Sequence, residues 1–401
     1  MQRFLIFLLI TCAVLLTGCA NVTPRQEQSA PRIIKPVQAA HQTTPASPPE
    51  AQTSPYVVTP FDTPTSSANT TTERREGQIG LILPLKSSAF SRAAEAVKQG
   101  FMAAFGLQTK SPHSTVKIYV TDDQPDSILE SYQRAIEEGS QIIIGPLTRN
   151  GVTSIAESGL VSVPTLALNI PENDTSLPPN LYFFGLSVEG ETRQVAHMAF
   201  NEGKVNAIIL TANTPLSKRS QQAFMEEWQN MGGKIIAQYN FTDNASSFST
   251  LRSALTDSLA DMIFLAADYT KARIVRPYLG VPIPIYATSQ INSGKKEPAR
   301  DIDLENIHFV EMPWLLQPDH PAVMVYPRPE KFIGPEYARL YALGIDAFRI
   351  AEIFLTSPNR HFVLDGVTGQ ITLSHGNQFM RELTPAIYRQ GIATAPDAAT
   401  P

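Results

Sequence analysis

Residues 78–85 read Gln78-Ile79-Gly80-Leu81-Ile82-Leu83-Pro84-Leu85, and this near-continuous apolar run decides how the rest of the chain is read. A strand with one wet face alternates polar and apolar residues; one without alternation is buried on both faces, as in a parallel sheet covered by helices. A polar loop follows at 86–88. Phe90, Ala94, Val97, Phe101 and Phe105 then recur at helical spacing before Gly106, which predicts a helix over about 89–105. The same alternation predicts strands at 116–121, 141–144 and 164–168 with a helix at 126–138. A second series follows: helices at 190–201, 217–231, 248–258 and 270–279 with strands at 205–210, 234–239, 262–265 and 283–287. Strands alternating with helices of this length point to parallel sheets covered on both faces. The series is too long for one small sheet, so the expected fold is α/β with two doubly wound, Rossmann-like lobes.

Upstream of Gly77 the texture changes. Met1-Gln2-Arg3 is a positive start, Phe4 to Leu16 is apolar apart from Thr11 and Cys12, and Leu16-Thr17-Gly18-Cys19 closes the run. Such a run is short of the ~20 residues a spanning helix needs and fits a signal peptide over 1–18. The closing tetrad resembles the lipobox of bacterial lipoproteins, which implies that Cys19 carries lipid and becomes the mature N-terminus; an ordinary secretory signal with a chance cysteine is the alternative. Acyl chains contribute ~0.8 kcal/mol per buried CH₂, so two or more make a stable anchor. Ala20 follows, where lipoproteins kept in the inner membrane typically carry Asp, so the resemblance points to the outer membrane, facing the periplasm. Residues 19–77 are rich in Pro, Thr and Ser without any period. They cannot bury enough apolar area to offset their ordering entropy and read as a disordered tether, with a root-mean-square reach of ~40 Å. The last stretch, 393–401, reads as a disordered tail.

Whole-chain numbers exclude several classes. The 401 residues are 43% hydrophobic and 17% charged, enough for a sizeable core after the leader is set aside. Thirty-two Lys and Arg against 37 Asp and Glu leave a formal charge of −5, which gives no reason to expect a nucleic-acid partner. Cys12 and Cys19 are too few for a disulfide framework. The 7 histidines are scattered and form no metal-binding motif, so neither metal nor cofactor is expected. Ser293-Gly294-Lys295-Lys296 fits Ser-x-x-Lys but sits in a polar stretch with no Lys-Thr-Gly after it, and reads as a solvated loop. Asp122-Asp123 ends a strand and reads as a turn or helix cap.

Four strings in order carry a family resemblance. Ile79 to Leu85 with its serine-containing loop, Ile144-Gly145-Pro146-Leu147, Leu340 to Phe348, and Gly366-Val367-Thr368-Gly369 within Asp365 to Leu373 resemble the type I periplasmic binding proteins. A narrower resemblance rests on Val163 to Asn169, Tyr182 to Ser187, Ile285 to Ser289 and above all Glu311-Met312-Pro313-Trp314. These look like the C-terminal domain of the penicillin-binding protein activators, the LpoA-type outer-membrane lipoproteins, over roughly 78–392. The resemblance implies a non-catalytic lipoprotein that binds a class A penicillin-binding protein and stimulates peptidoglycan synthesis. Longer members carry a helical-repeat domain before this one, and residues 20–77 have neither its length nor its period. The expected bilobed domain is 78–392, with lobe 1 at about 78–187 and 312–358 and lobe 2 at about 188–311 and 361–392.

In binding proteins of this fold, loops after the strands line the cleft between lobes, because helix N-termini there offer free N–H donors. The matching residues are Ser87, Ser88, Gly145, Asn169 and Ser187 on one side, and Ser217, Asp268, Tyr269 and Ser289 on the other. Each type is also ordinary at strand ends and helix caps. Arg219 stands where amino-acid receptors often have Asp-Tyr-Gly, which departs from an amino-acid site. A partner surface is expected in the proline-rich segment 313–335, at Tyr326, Arg328 and Phe332, with Trp314 and Leu316 in the core. The alternative function is a lipid-anchored solute receptor serving a transporter.

Overall fold

The opening run forms β1 (Gly77–Leu83), and its place in the fold explains its composition. It lies parallel to β2 (Ser114–Val120) on one side and β3 (Ile142–Ile144) on the other. Its residues alternate between two apolar layers. Ile79, Leu81 and Leu83 face one core cluster, while Ile82 faces a second. A computed structural model of the chain describes residues 77–107, 114–172, 177–256, 258–280, 282–329, 334–356, 363–374 and 376–396. The signal peptide, Cys19, almost all of the tether, and Phe332 lie outside them.

The first sheet continues with β4 (Thr165–Ala167) and β5 (Leu181–Phe183), is parallel throughout, and has the order β2-β1-β3-β4-β5. Helices α1 (Ser91–Phe105), α2 (Pro125–Glu137) and α3 (Arg149–Glu157) alternate with its strands. The expected elements are present with ends shifted by a few residues. Helix α3 and strand β5 are not among the expected elements; Val152 and Ile155 hold α3 by packing beside Ile128 and Tyr132 of α2.

The second lobe holds α4 (Val188–Asn201), β6 (Asn206–Ala212), α5 (Pro215–Asn230), β7 (Lys234–Phe241), α6 (Ala245–Thr256), β8 (Met262–Ala266), α7 (Tyr269–Leu279), β9 (Ile285–Ala287), α8 (Pro298–Asp301) and β10 (Ile307–Glu311). The chain then returns to the first lobe through α9 (Pro313–Leu316), α10 (Pro321–Met324) and α11 (Pro335–Thr356). It ends with β11 (Val363–Gly366), β12 (Gly369–Leu373), β13 (Phe379–Glu382), β14 (Thr384–Arg389) and β15 (Ile392–Thr394). The second sheet runs β15-β14-β10-β9-β8-β6-β7, with only β14 and β15 antiparallel to their neighbours. Ile208 and Leu210 of β6 face α6 and α7, whereas Ala207 and Ile209 face α4 and α5 with Phe224 and Trp228.

The segment 361–392, expected wholly in lobe 2, is divided. β11, β12 and β13 form an antiparallel sheet whose Leu364, Val367, Ile371 and Phe379 pack into the core of the first lobe. Only β14 and β15 join the second sheet. The reason lies in Asp346 of α11, which is fully buried. Its carboxylate accepts hydrogen bonds from Val367 N (3.1 Å), Thr368 N (2.8 Å) and the Thr368 hydroxyl (2.7 Å), holding the β11–β12 turn against the helix. Two motifs that read separately in the sequence are thus one contact.

Helix α11 crosses α1 at backbone distance. A Cβ on Gly100 would lie 1.8 Å from the Tyr341 carbonyl oxygen, and one on Gly344 would lie 2.1 Å from that of Val97. Only glycine permits this approach, which seats Phe101 edge-on to Phe348 at 5.2 Å.

Candidate functional site between the lobes

Each sheet reverses its strand order beside its first strand, β1 with β3 and β6 with β8, and ligands of doubly wound sheets bind at such points. Of the expected cleft residues, Ser87, Gly145 and Asp268 lie on the loops at these points and Ser217 in the first turn of α5, and all are engaged locally. Ser87 Oγ accepts from Ala89 N (3.2 Å) and Phe90 N (3.1 Å), at the start of α1. Ser187 caps α4 through Gly190 N (3.1 Å), and Asp268 caps α7 through Lys271 N (2.9 Å). Ser217 N donates to Thr214 Oγ1 (3.1 Å) at the head of α5. Gly145 has φ 105°, and a Cβ there would lie 2.2 Å from the Ile82 carbonyl oxygen. Asn169 ties its loop to the one after β3, donating to Leu147 O (3.0 Å) and accepting from Ile170 N (3.0 Å). Tyr269 donates to Asp301 (2.7 Å), Ser289 donates to Glu191 (2.7 Å), and Ser88 is exposed.

These residues share no single cavity. Asn169 and Ser187 line a space of about 50 Å³ between the lobes, with Arg149, Arg219 and Arg381. Asp268 and Tyr269 line an open depression of about 390 Å³ beside Arg339, and Ser217 lines one of about 240 Å³ that also touches Asp268. Ser87, Ser88, Gly145 and Ser289 line none of the three. The first space, about 50 Å³, is far below the ~300 Å³ or more of a small-molecule pocket. Arg219, the departure from amino-acid receptors, is held by Glu189 at 2.7 Å. Burial pushes the Glu189 carboxyl up, but the hydrogen bond and charge of Arg219, with hydrogen bonds from the Glu189 backbone and from Ser187, outweigh it and hold it below its ordinary value.

Between these cavities lies a buried ionic network that reading the sequence did not find. Arg339 of α11 pairs with Glu311 (Nη2 to Oε2, 2.6 Å) and donates to the carbonyls of Ser289 (2.8 Å) and Asn292 (3.3 Å). Glu311 also accepts from Asn292 Nδ2 (2.8 Å) and Met312 N (2.9 Å). Arg381 of β13 stands 3.7 Å from Glu191 and donates to Gly185 O (3.2 Å) and Thr368 O (3.4 Å). Burial pushes the Glu191 carboxyl above its ordinary value despite Arg381 and Ser289, and burial lowers Arg381. For Arg339, burial pulls downward, but Glu311 more than offsets it and the guanidinium is held above its usual value. Its only signal in sequence was a charge inside a helix apolar on nearly every side.

On the expected partner surface, Trp314 is buried and Arg328 is exposed. The Arg328 guanidinium lies 3.8 Å from the centre of the Trp314 ring and donates to the Trp314 carbonyl (2.7 Å). Tyr326, expected to be exposed, is half-buried and packs against the first core, because a backbone bond from Tyr326 N to Val323 O (3.2 Å) turns it back beside the buried Val323; Met324 and Val325 are the exposed apolar residues instead. Ser293 to Lys296 form a turn in which Ser293 Oγ accepts from Lys295 N (3.2 Å), and Asp122 Oδ1 accepts from Gln124 N (2.9 Å), both structural. Among the described residues no cluster of three or more His, Cys, Asp or Glu could hold a metal ion, and no helix is long and apolar enough to cross a membrane.

The model of the family described as "LppC putative lipoprotein" matches residues 66–258 and 246–391. The chain belongs to the LppC family. Among LppC-related sequences, the penicillin-binding protein activator LpoA of Enterobacter sp. (strain 638) is 27% identical over 332 residues, covering 72% of this chain and 45% of that protein. LpoA of Escherichia coli (strain K12) is 26% identical over 328 residues, covering 70% and 47%. The chain therefore spans about half the length of the curated relatives it matches. The C-domain of LpoA from Haemophilus influenzae, a regulator of PBP1A, shares the fold, with TM-score 0.66 and 23% identity over 80% of this chain and 99% of that one. A structure from Chromobacterium violaceum described as a "putative branched-chain amino acid ABC transporter" is 36% identical, with TM-score 0.68, covering 78% of this chain and all of that one. The fold common to this LppC chain and these structures is of the type I periplasmic-binding-protein kind.

Proposed function

We propose that this LppC protein is a lipoprotein, anchored through Cys19 in the outer membrane, that binds and activates a class A penicillin-binding protein and has no catalytic role of its own. The observation that carries the reading is the match to LpoA proteins across both lobes. The form of the interlobe space supports it: the part beside Arg381, about 50 Å³, is too small for a solute, and the part beside Arg339, about 390 Å³, is an open depression. The tether 19–77 gives the domain its reach from the membrane. Arg328, seated on Trp314, with Met324 and Val325 beside it, is the surface we assign to the synthase; Tyr326 supports it from beneath. A second reading, a lipid-anchored receptor for an amino-acid-like solute, is favoured by the 36% identity to the Chromobacterium structure.

One experiment separates the two. The purified protein is titrated into a periplasmic class A synthase while glycan polymerisation and crosslinking are followed, and in parallel into branched-chain amino acids by calorimetry. Stimulation of either synthase activity is the expected result. No binding to the synthase together with saturable heat from an amino acid would establish the receptor instead.

A further inference from the structure

The described chain crosses between its lobes three times, after β5, after β10 and after β13. A buried charge sits at each crossing. Glu191 lies in the first turn of α4, just past the first; Glu311 ends β10 at the second; Arg381 stands two residues before Leu383 at the third. The second lobe presents the carboxylates, and the first lobe supplies both arginines, Arg339 from α11 and Arg381 from β13. The two pairs meet at Ser289, whose hydroxyl holds Glu191 at 2.7 Å and whose carbonyl accepts from Arg339 at 2.8 Å. At the third crossing, the Gln194 amide holds Leu383 by both its backbone groups (2.7 and 2.9 Å).

We infer that Arg339 and Arg381 form a fixed two-pronged clasp that keeps the lobes in one relative orientation, so that the domain is a rigid bilobed body and not a clamshell. Swinging the lobes apart would draw two arginines from two carboxylates, and side-chain exposure is 8% for Arg339, 0% for Glu311, 5% for Arg381 and 4% for Glu191. Opening would break both ion pairs and the Arg339 bonds to the Ser289 and Asn292 carbonyls in one step, and water would have to enter the interior to replace them. A ligand shifts such an equilibrium only by its difference in affinity for the two states. The clasp also divides the interlobe space, since Arg381 lines the small cavity and Arg339 the open depression. A partner would therefore meet a constant surface made from both lobes.

The test is an interlobe distance measured by double electron–electron resonance. Spin labels are placed at Gln99→Cys on α1 and Gln229→Cys on α5, both exposed, in the full chain with Cys12→Ser and Cys19→Ser. We expect one narrow distance, unchanged by millimolar leucine, and a broadened or second distance in Arg339→Met/Arg381→Met. Two distances without those substitutions, or a shift with leucine, would overturn the clasp; so would a folded double variant that keeps the single distance. If the methionine variant does not fold, Glu191→Gln/Glu311→Gln, which keeps side-chain volume, serves as the loosened form and is read by the same outcomes.

Discussion

Removing the Arg339 guanidinium isolates how much the second crossing depends on one ion pair. In Arg339→Met the Glu311 carboxylate stays fully buried with two donors, Asn292 Nδ2 and Met312 N, and the carbonyls of Ser289 and Asn292 lose the donor they share. Breaking a buried pair from one side costs ~3–5 kcal/mol, mainly from the charge left behind. At ~2–4 °C per kcal/mol the melting temperature should fall by at least ~6 °C. The double variant Glu311→Gln/Arg339→Met removes the stranded charge and keeps an acceptor for one of the two donors, Asn292 Nδ2 or Met312 N, which bond different oxygens of Glu311, so it should recover ~1 kcal/mol or more relative to Arg339→Met. Urea denaturation read by tryptophan fluorescence suits the assay. Trp228 lies in the core of the second lobe and Trp314 in that of the first, both almost completely buried, so each reports its own lobe. A loss below ~1 kcal/mol in Arg339→Met, within the range of a surface pair, would refute the reasoning. So would a double variant no more stable than the single one.

Gly100→Ala and Gly344→Ala each place a methyl against a backbone carbonyl that cannot rotate away, so each should destabilise by at least ~2 kcal/mol in the same denaturation experiment. The Glu191 carboxyl is raised in the folded state, so its contribution is complete below the ordinary carboxylate value and is lost as pH rises through the raised one. Glu191→Gln should therefore gain stability relative to the unmodified protein as pH rises from ~4, by at most ~1.4 kcal/mol per pH unit. A difference independent of pH would show that Glu191 titrates normally.

The alternation of strand and helix was legible along the chain because burial on both faces of a sheet demands uninterrupted apolar runs, and Ile79 to Leu83 or Met262 to Leu265 can hardly be anything else. Helix α3 was not, because its opening Arg-Asn-Gly disfavours a helix that packing against α2 then imposes. The expected cleft residues lie at strand ends and helix starts, but whether a serine there caps a helix or faces a ligand depends on local geometry that residue type does not contain. Sequence by itself determined the two lobes and the α/β class; that Trp314 belongs to the core was decided by the structure. Only the tertiary structure decided which charges are buried. Glu191 and Ser289 are 98 residues apart, and Arg381 and Gly185 are 196 apart. Arg381 in a short strand and Glu191 in a helix's first turn have the composition of solvated surface. They become interior only when the chain has crossed between its lobes three times, because that brings together the segments that exclude water from them.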